Sequence, residues 1–137
     1  MAMEANTLPA HLPPDLADGV FPAGCPSRTV LDHITSKWGV LILVALSEGE
    51  HRWSELRRRA DGISEKMLAQ TLKTLERDGL VLRKSQPVIP PHVDYRLTDR
   101  GYELTALLVP LVTWAYNNAG DILNGQPRTG GQADRTK

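Results

Sequence analysis

The sequence predicts a mostly helical α+β domain, and three features of the chain lead to that prediction. Five segments between residues 26 and 123 have helix caps or apolar residues at helical spacing, and two segments between residues 80 and 97 have strand spacing. Both ends are proline-rich or polar and lack the apolar surface that folding requires. We therefore expect disordered tails at residues 1–22 and 124–137 around one domain at residues 23–123, because 137 residues can bury one core but not comfortably two.

Composition excludes several classes of protein. The 16 basic and 16 acidic residues cancel, so no strong overall positive field indicates a nucleic-acid-binding protein. Cys25 is the single cysteine, which excludes an intramolecular disulfide and a multi-cysteine zinc site and suits a reducing compartment. The sequence shows neither a signal peptide nor about 18 consecutive apolar residues. We therefore expect a cytoplasmic protein that does not enter the membrane.

The first two helices follow from their start and stop signals. Pro26 and Ser27 can begin a helix that continues through Ile34. Lys37–Ser47 is a strongly apolar segment that is followed by Gly49. Within that second segment, a stripe that we expect to face the core recurs at helical spacing. Its members are Trp38, Leu41, Ile42 and Ala45.

Two further helices are each preceded by a serine that can cap them. Ser54 precedes Glu55–Ala60, and Ser64 begins a segment that ends at Asp78, just before Gly79. The longer segment has three leucines on one face, at positions i, i+4 and i+7, which we expect to face the core. They are Leu68, Leu72 and Leu75.

A β-hairpin and a long helix complete the predicted domain. Leu80–Gln86 and His92–Leu97 have strand spacing, and the loop between them contains three prolines. Thr98 can cap a last helix, which we place at residues 99–123. Pro110 should kink this helix, because proline removes one backbone hydrogen bond.

This order of elements is that of a winged helix-turn-helix over residues 37–97. In that fold the second of two short helices enters the DNA major groove, and the hairpin, or wing, reaches along the DNA backbone. The helix Ser64–Asp78 has matching chemistry, because the face opposite its leucines carries amide and basic groups that can reach bases and phosphates. These groups belong to Lys66, Gln70, Lys73 and Arg77. The sequence thus predicts a transcriptional regulator that binds double-stranded DNA.

Residues beside this face complete the predicted DNA contacts. The full set is Ser64, Lys66, Met67, Gln70, Thr71, Lys73 and Thr74 on the recognition helix, Arg57 and Arg58 before it, and Lys84 and His92 on the wing. We expect Arg57, Arg58 and Lys84 to hold backbone phosphates. We expect Ser64 to offer its hydroxyl to a phosphate at the helix N-terminus. The alternative is that the polar face reflects only exposure to solvent.

Short motifs occur in a characteristic order over about residues 24–118. They are Cys25-Pro26, Lys37-Trp38, Trp53-Ser54-Glu55-Leu56-Arg57-Arg58, Gly62-Ile63-Ser64, Gly79-Leu80-Val81, Pro90-Pro91, Val93-Asp94-Tyr95, and Leu97-Thr98 followed by Gly101. With these motifs the chain resembles the HxlR-type winged-helix regulators of bacteria, a branch close to the MarR-like repressors. The resemblance implies a dimeric regulator, more often a repressor than an activator, that binds operators near the genes it controls. It also implies that the hairpin is the wing and that the first and last helices, at residues 26–34 and 99–123, build the dimer.

Residues 106–116 predict a homodimer independently of that resemblance. Only Pro110 and Thr113 interrupt a run of Ala, Leu, Val, Trp and Tyr, which gives more apolar helix surface than a small winged-helix domain can bury. A symmetric dimer would place two recognition helices about one DNA turn (~34 Å) apart on a pseudo-palindromic operator. The alternative is a monomer whose long helix folds back on its own core. The predicted interface residues are Val30, Leu31, Ile34, Leu107, Leu108, Leu111, Trp114 and Ala115.

Cys25 is a candidate redox sensor at the start of the first helix. We expect the helix dipole and nearby Arg28 to favour the thiolate, which is the reactive form. The resemblance implies that some family members sense oxidants or electrophiles through a cysteine in this position. Oxidation would link the two cysteines of a dimer or cap each with a small thiol. The alternative is a half-buried small residue without chemistry.

The sequence carries no recognisable catalytic or metal-binding motif. Its four histidines form no zinc motif, and it has no phosphate loop, no G-x-G-x-x-G and no nucleophile elbow. We expect no enzymatic activity, no cofactor and no metal. Two other functions remain open: a regulator whose small-molecule inducer binds between the dimer helices and the DNA-binding part, and a winged helix that binds a protein.

Overall fold

The computed structural model describes residues 24–125. The chain divides into two units, residues 1–35 and 36–137. The predicted tails lie outside the described residues, except that Asn124 and Gly125 form the turn at the end of the last helix. The described residues confirm the predicted mostly helical α+β architecture.

Helix α1 (Pro26–Ile34) is the described helix of the first unit, and its predicted bounds are confirmed. Cys25 is its N-cap residue, and Pro26 occupies a first-turn position where a missing N–H leaves no helical hydrogen bond unmade. Thr35 ends the helix, and both its backbone N–H and its hydroxyl donate to the Leu31 carbonyl. None of the residues of α1 is buried.

Between residues 36 and 125 the second unit contains four helices and three strands. The helices are α2 (Lys37–Leu46), α3 (Trp53–Arg59), α4 (Glu65–Arg77) and α5 (Asp99–Leu123), and the strands are β1 (His51–Arg52), β2 (Val81–Gln86) and β3 (His92–Leu97). The strands form one antiparallel sheet in the order β1-β3-β2. The sequence predicts β2 and β3 but not β1, because two residues are too few to show alternation.

Helix α2 is the centre of the core and contacts α3, α4, α5 and β3. The predicted stripe on this helix is partly wrong, because Leu41 is 38% exposed while Leu43 and Leu46 are fully buried. Nearly every residue of α2 is apolar, so spacing alone does not single out one face. The largest fully buried side chains of the core are Ile42, Leu43, Leu46, Leu56, Leu68, Leu72 and Leu75.

The start of α3 differs from the prediction. Ser54 is not the N-cap, since the helix begins one residue earlier at Trp53 and Arg52 is the N-cap residue. The Glu55 carboxylate accepts a hydrogen bond from the Arg52 backbone N–H at 2.7 Å. This bond satisfies the N-cap N–H of the helix from a side chain three residues later. Ser54 lies in the first turn and is exposed.

The base of the hairpin is joined to the start of α5 by hydrogen bonds. The Thr98 hydroxyl donates to the Gly79 carbonyl at 2.7 Å and accepts from the Gly101 N–H at 3.1 Å, which confirms Thr98 as the predicted cap. The Thr98 N–H donates to the Leu80 carbonyl at 3.0 Å. A Cβ on Gly101 would overlap this same carbonyl oxygen, so the close approach of α5 to the hairpin requires glycine.

Helix α5 runs without interruption for 25 residues, about 37 Å, and contains Pro110 in its interior. Pro110 therefore does not end the helix, and the kink expected there stays a prediction. No single helix among the described residues is long and apolar enough to cross a membrane.

Candidate nucleic-acid interface

Helix α4 has one buried face and one exposed face. Leu68, Leu72 and Leu75 are at most 1% exposed and pack in the core, as their spacing predicts. The opposite face reaches solvent and carries three cations and one amide. Its exposed side chains are Lys66, Gln70, Lys73 and Arg77. This face can therefore offer hydrogen-bond donors to an external ligand without disturbing the core.

The N-terminus of α4 is closed by Ser64. Its Oγ accepts a hydrogen bond from the Met67 N–H at 3.0 Å, which leaves the hydroxyl proton to be donated outward. Ser64 is exposed, and Met67 is 39% exposed on the flank of the polar face. Thr71 and Thr74 are half-buried, so they lie nearer the core side of the helix than the sequence alone indicates.

The arginines at the end of α3 differ in how far they are already engaged. Arg57 forms an ion pair with Glu65 at 3.1 Å, which joins α3 to the first turn of α4. Arg59 pairs with Glu48, and the hydrogen bond from Arg59 lowers the pKa of that carboxyl. Arg58 is exposed and forms no ion pair with another residue in the described part of the chain. Of the two arginines predicted to bind phosphate, Arg58 is thus the one available without exchange of a partner.

A groove lies beside the turn between α3 and α4. Its volume is about 720 Å³, and both predicted arginines line it together with two carboxylates. Its lining residues are Trp53, Ser54, Arg57, Arg58, Asp61, Gly62, Ile63 and Glu65. The turn of the helix-turn-helix is therefore open to solvent on the side where the arginines lie.

The register of the hairpin decides which way each wing residue points. Lys84 pairs with Asp94, and Gln86 pairs with His92 on the same sheet face. Gln86 donates a hydrogen bond to the Asp94 carboxylate at 2.9 Å, and the His92 ring lies 3.6 Å from the same oxygen. The two predicted wing contacts, Lys84 and His92, thus share one face of the sheet with an acidic side chain.

Arg83 lies on the other face of the hairpin, opposite Tyr95. It lines a second groove, of about 480 Å³, between α4 and the sheet. The lining residues are Trp53, Ala69, Leu72, Lys73, Glu76, Arg77, Arg83 and Tyr95. The sequence prediction omits Arg83 and Trp53. Arg83 could have been found by alternation, since it lies two residues after the buried Val81.

The apolar residues of α5 divide into a buried and an exposed set. Leu108 was predicted at a dimer interface, but it is 5% exposed and packs within its own chain. By contrast Leu107 is 69% exposed, Leu111 is 55% exposed and Trp114 is 52% exposed. Ala115 is exposed as well. Within the second unit, helix α5 thus presents an exposed apolar surface.

The remaining predicted interface residues lie on helix α1, and Cys25 lies at its N-terminus. Val30 is 46% exposed, Leu31 is 38% exposed and Ile34 is half-buried. Cys25 is half-buried, and its carbonyl accepts hydrogen bonds from the Arg28 and Thr29 N–H groups. No group of three or more metal-binding side chains occurs within residues 24–125.

Comparison with known proteins gives consistent matches over most of the chain. A model of the HxlR-like helix-turn-helix family matches residues 33–122. An uncharacterized HTH-type transcriptional regulator of Escherichia coli, YtfH, is 53% identical over 104 residues, which are 76% of this chain and 82% of the relative. The structure of the regulator ytfH from Salmonella typhimurium is 52% identical with a TM-score of 0.73, over 77% of this chain and 95% of that one. The structure of the redox regulator HypR in its oxidized form is 34% identical with a TM-score of 0.64. The match covers 69% of this chain and 97% of HypR.

Proposed function

The chain belongs to the HxlR-like helix-turn-helix family, and from that membership we propose that it is a homodimeric repressor that binds a pseudo-palindromic DNA operator. It is a transcriptional regulator with a DNA-binding helix-turn-helix fold, as its relatives are, and not an enzyme.

The exposed face of α4 is the observation that carries the proposal. It is held in place by three buried leucines and a capped N-terminus, so its side chains are presented from a rigid helix. Gln70 lies near the centre of this face, where its amide can pair with both adenine edge groups in the major groove. Lys66 lies one turn before it and can reach guanine or phosphate. Met67 and Thr74 lie on the flank, where they can contact a thymine methyl group.

Residues around this face fix the depth and orientation of the helix in the groove. Arg58 on α3 and Ser64 at the N-terminus of α4 are both exposed, which suits contact with backbone phosphates. The charge of Arg57 is already shared with Glu65, so we expect it to contribute less to a phosphate contact than Arg58 does. On the wing, Lys84 and His92 flank Asp94, so we expect weaker phosphate contacts there than the charges alone imply. Thr71 and Lys73 complete the proposed set.

Selection of DNA by the parent protein tests sequence-specific binding. A random duplex library is enriched through repeated binding, and the selected sequence is compared with a scrambled duplex of equal length. We expect two half-sites related by a twofold axis, with centres about 34 Å apart, and an affinity at least about 10³-fold higher than for the scrambled duplex. Equal affinity for both duplexes would exclude a sequence-specific regulator.

The exposed surface of α5 supports the homodimer. Leu107, Leu111 and Trp114 are each more than half exposed on one helix, which is an arrangement that a monomer in water does not favour. A twofold pairing of α5 would bury this surface against an identical copy. Val30 and Leu31 of α1 offer a second apolar patch to a partner.

Cys25 supports a response to oxidants. It is a half-buried thiol at the N-cap of α1, and the similar protein HypR is described as a redox regulator. Two Cys25 thiols, one from each protomer, would lose two protons and two electrons to an oxidant such as diamide and form an intersubunit disulfide. We expect diamide to change operator affinity in the parent and not in Cys25→Ser, with crosslinking followed on non-reducing gels. A Cys25→Ser protein that responds as the parent does would remove this part of the proposal.

A further inference from the structure

We propose that the groove between α4 and β2 is a phosphate-binding site in which Lys73, Arg77 and Arg83 hold one phosphate of the DNA backbone. This inference rests on the proposed function and extends it, because it assigns a phosphate contact to Arg83, a wing residue that faces the recognition helix. The site differs from the Lys84 and His92 contacts, which lie on the opposite face of the sheet.

The strand register places Arg83 in this groove. Val81, Arg83 and Ser85 lie on one face of β2, and the first of them is buried at the base of the hairpin. Arg83 pairs with Tyr95, which is 6% exposed, so the arginine leaves the sheet on its core-facing side. There it faces α4, where Lys73 and Arg77 line the opposite wall. One external group can therefore contact both the recognition helix and the wing.

The charges of the groove favour an anion. Three cationic side chains line it against one carboxylate, that of Glu76. Arg83 donates a hydrogen bond to the Ser85 hydroxyl at 3.4 Å, and no ion pair neutralises Lys73, Arg77 or Arg83 within residues 24–125. Arg57 and Arg59 on α3 are by contrast each paired with a glutamate. Cations that lack an internal partner and converge on one groove form a suitable site for an external phosphate.

The floor of the groove suits the rest of a DNA backbone unit. Trp53 is half-buried and Tyr95 is buried beneath the three cations. Ala69, which is exposed, adds apolar surface from α4. A deoxyribose ring has an apolar edge next to its phosphate, so an aromatic floor below a cationic rim matches both parts of the unit. Trp53 would then contact the sugar while the cations hold the phosphate.

A matched pair of arginine variants tests the charge contribution. Arg83 and Arg96 are both exposed and lie in the same hairpin, but Arg96 pairs with Leu82 on the opposite sheet face. In Arg83→Ala we expect the slope of log affinity against log salt on random-sequence duplex to become less steep, by at most about 0.9, which is the full value for one phosphate contact, because Lys73 and Arg77 still face the same phosphate. In Arg96→Ala we expect the slope of the parent. Thermal unfolding of both variants checks that they remain folded.

A neutral-phosphate scan then locates the contact. Single methylphosphonates are placed in turn along the selected operator, and each is measured with the parent, Arg83→Ala, Arg77→Ala and Arg96→Ala. We expect one position in each half-site to couple with both Arg83 and Arg77 by about threefold or more, above the roughly twofold scatter of independent changes. We expect Arg96 to couple with none.

The outcomes separate this inference from the proposed function. If the parent does not bind DNA, the proposed function fails first. If the parent binds an operator but Arg83→Ala and Arg96→Ala behave alike in both experiments, the groove is not a phosphate site and the function stands. Coupling to Arg83 without coupling to Arg77 would also overturn the inference, because the site requires both walls of the groove.

Discussion

Single residues decide how the hairpin meets α5. Gly101 touches the Leu80 carbonyl so closely that no side chain fits, and Thr98 bonds to both sides of the junction. Thr98 was predictable, because a threonine before an apolar helical pattern indicates a cap. The need for glycine at position 101 was not, since nothing local in the sequence shows which backbone approaches it.

Gly101→Ala and Gly120→Ala should change stability in opposite directions. Alanine favours a helix over glycine by about 1 kcal/mol, and at Gly120 a new Cβ meets no atom within 4 Å. At Gly101 the overlap with backbone outweighs that gain, and we expect a net loss of about 1–3 kcal/mol. Urea unfolding of the two variants measures both values. A stabilised Gly101→Ala protein would mean that the junction is looser than described.

Glu48 and Arg59 provide a pH-dependent contact at the residue scale. The hydrogen bond from Arg59 lowers the pKa of Glu48 below its ordinary value of 4.5. The contact therefore stabilises the fold above pH 4.5 and is lost as the pH falls through the lowered value. We expect the Glu48 carboxyl resonance in NMR to titrate below 4.5 in the parent and to move toward 4.5 in Arg59→Ala. An unchanged midpoint would show that the pair does not form in solution.

At the scale of elements, α4 and the hairpin were predictable and α2 was only partly so. The alternation of polar residues with Leu68, Leu72 and Leu75 defines the buried face of α4, whereas α2 is apolar on all sides and its inner face depends on neighbouring helices. Alternation from the buried Val81 indicates the sheet face of Arg83, but which residues of α4 line the groove on that face depends on how the helix packs against the sheet. The proposed recognition helix thus follows from local pattern, while the groove beside it requires the fold.

The caps of α3 and α4 give a direct test at this scale. Ser64 accepts a hydrogen bond from the Met67 N–H, so Ser64→Ala should destabilise the protein by about 1 kcal/mol. Ser54 lies in the first turn of α3, is exposed and caps no helix. The free energy of unfolding of Ser54→Ala should therefore stay within about 0.5 kcal/mol of the parent value. Denaturant unfolding distinguishes them, and equal losses would contradict the assigned caps.

At the scale of the whole molecule, the apolar surface of α5 predicts association. A charge in the middle of a buried apolar interface lacks a partner and is strongly unfavourable. We therefore expect Leu111→Glu to be monomeric at micromolar concentration and the parent to be dimeric, as measured by light scattering. Leu82→Glu, at a 42% exposed position on the sheet, should remain dimeric. A parent of monomer mass would refute the dimer.

The exposed face of α4 is expected to read DNA sequence through the amide of Gln70. The most direct measurement compares the parent, Gln70→Ala and Lys84→Ala on the selected operator, on every single-base-pair variant of it and on random duplex. We expect Gln70→Ala to lose about 1–3 kcal/mol of discrimination at one base pair of each half-site, and Lys84→Ala to weaken all duplexes alike. If Gln70→Ala lowers the affinity equally for every duplex, α4 does not read the sequence at that residue, and its proposed role as the recognition helix is contradicted.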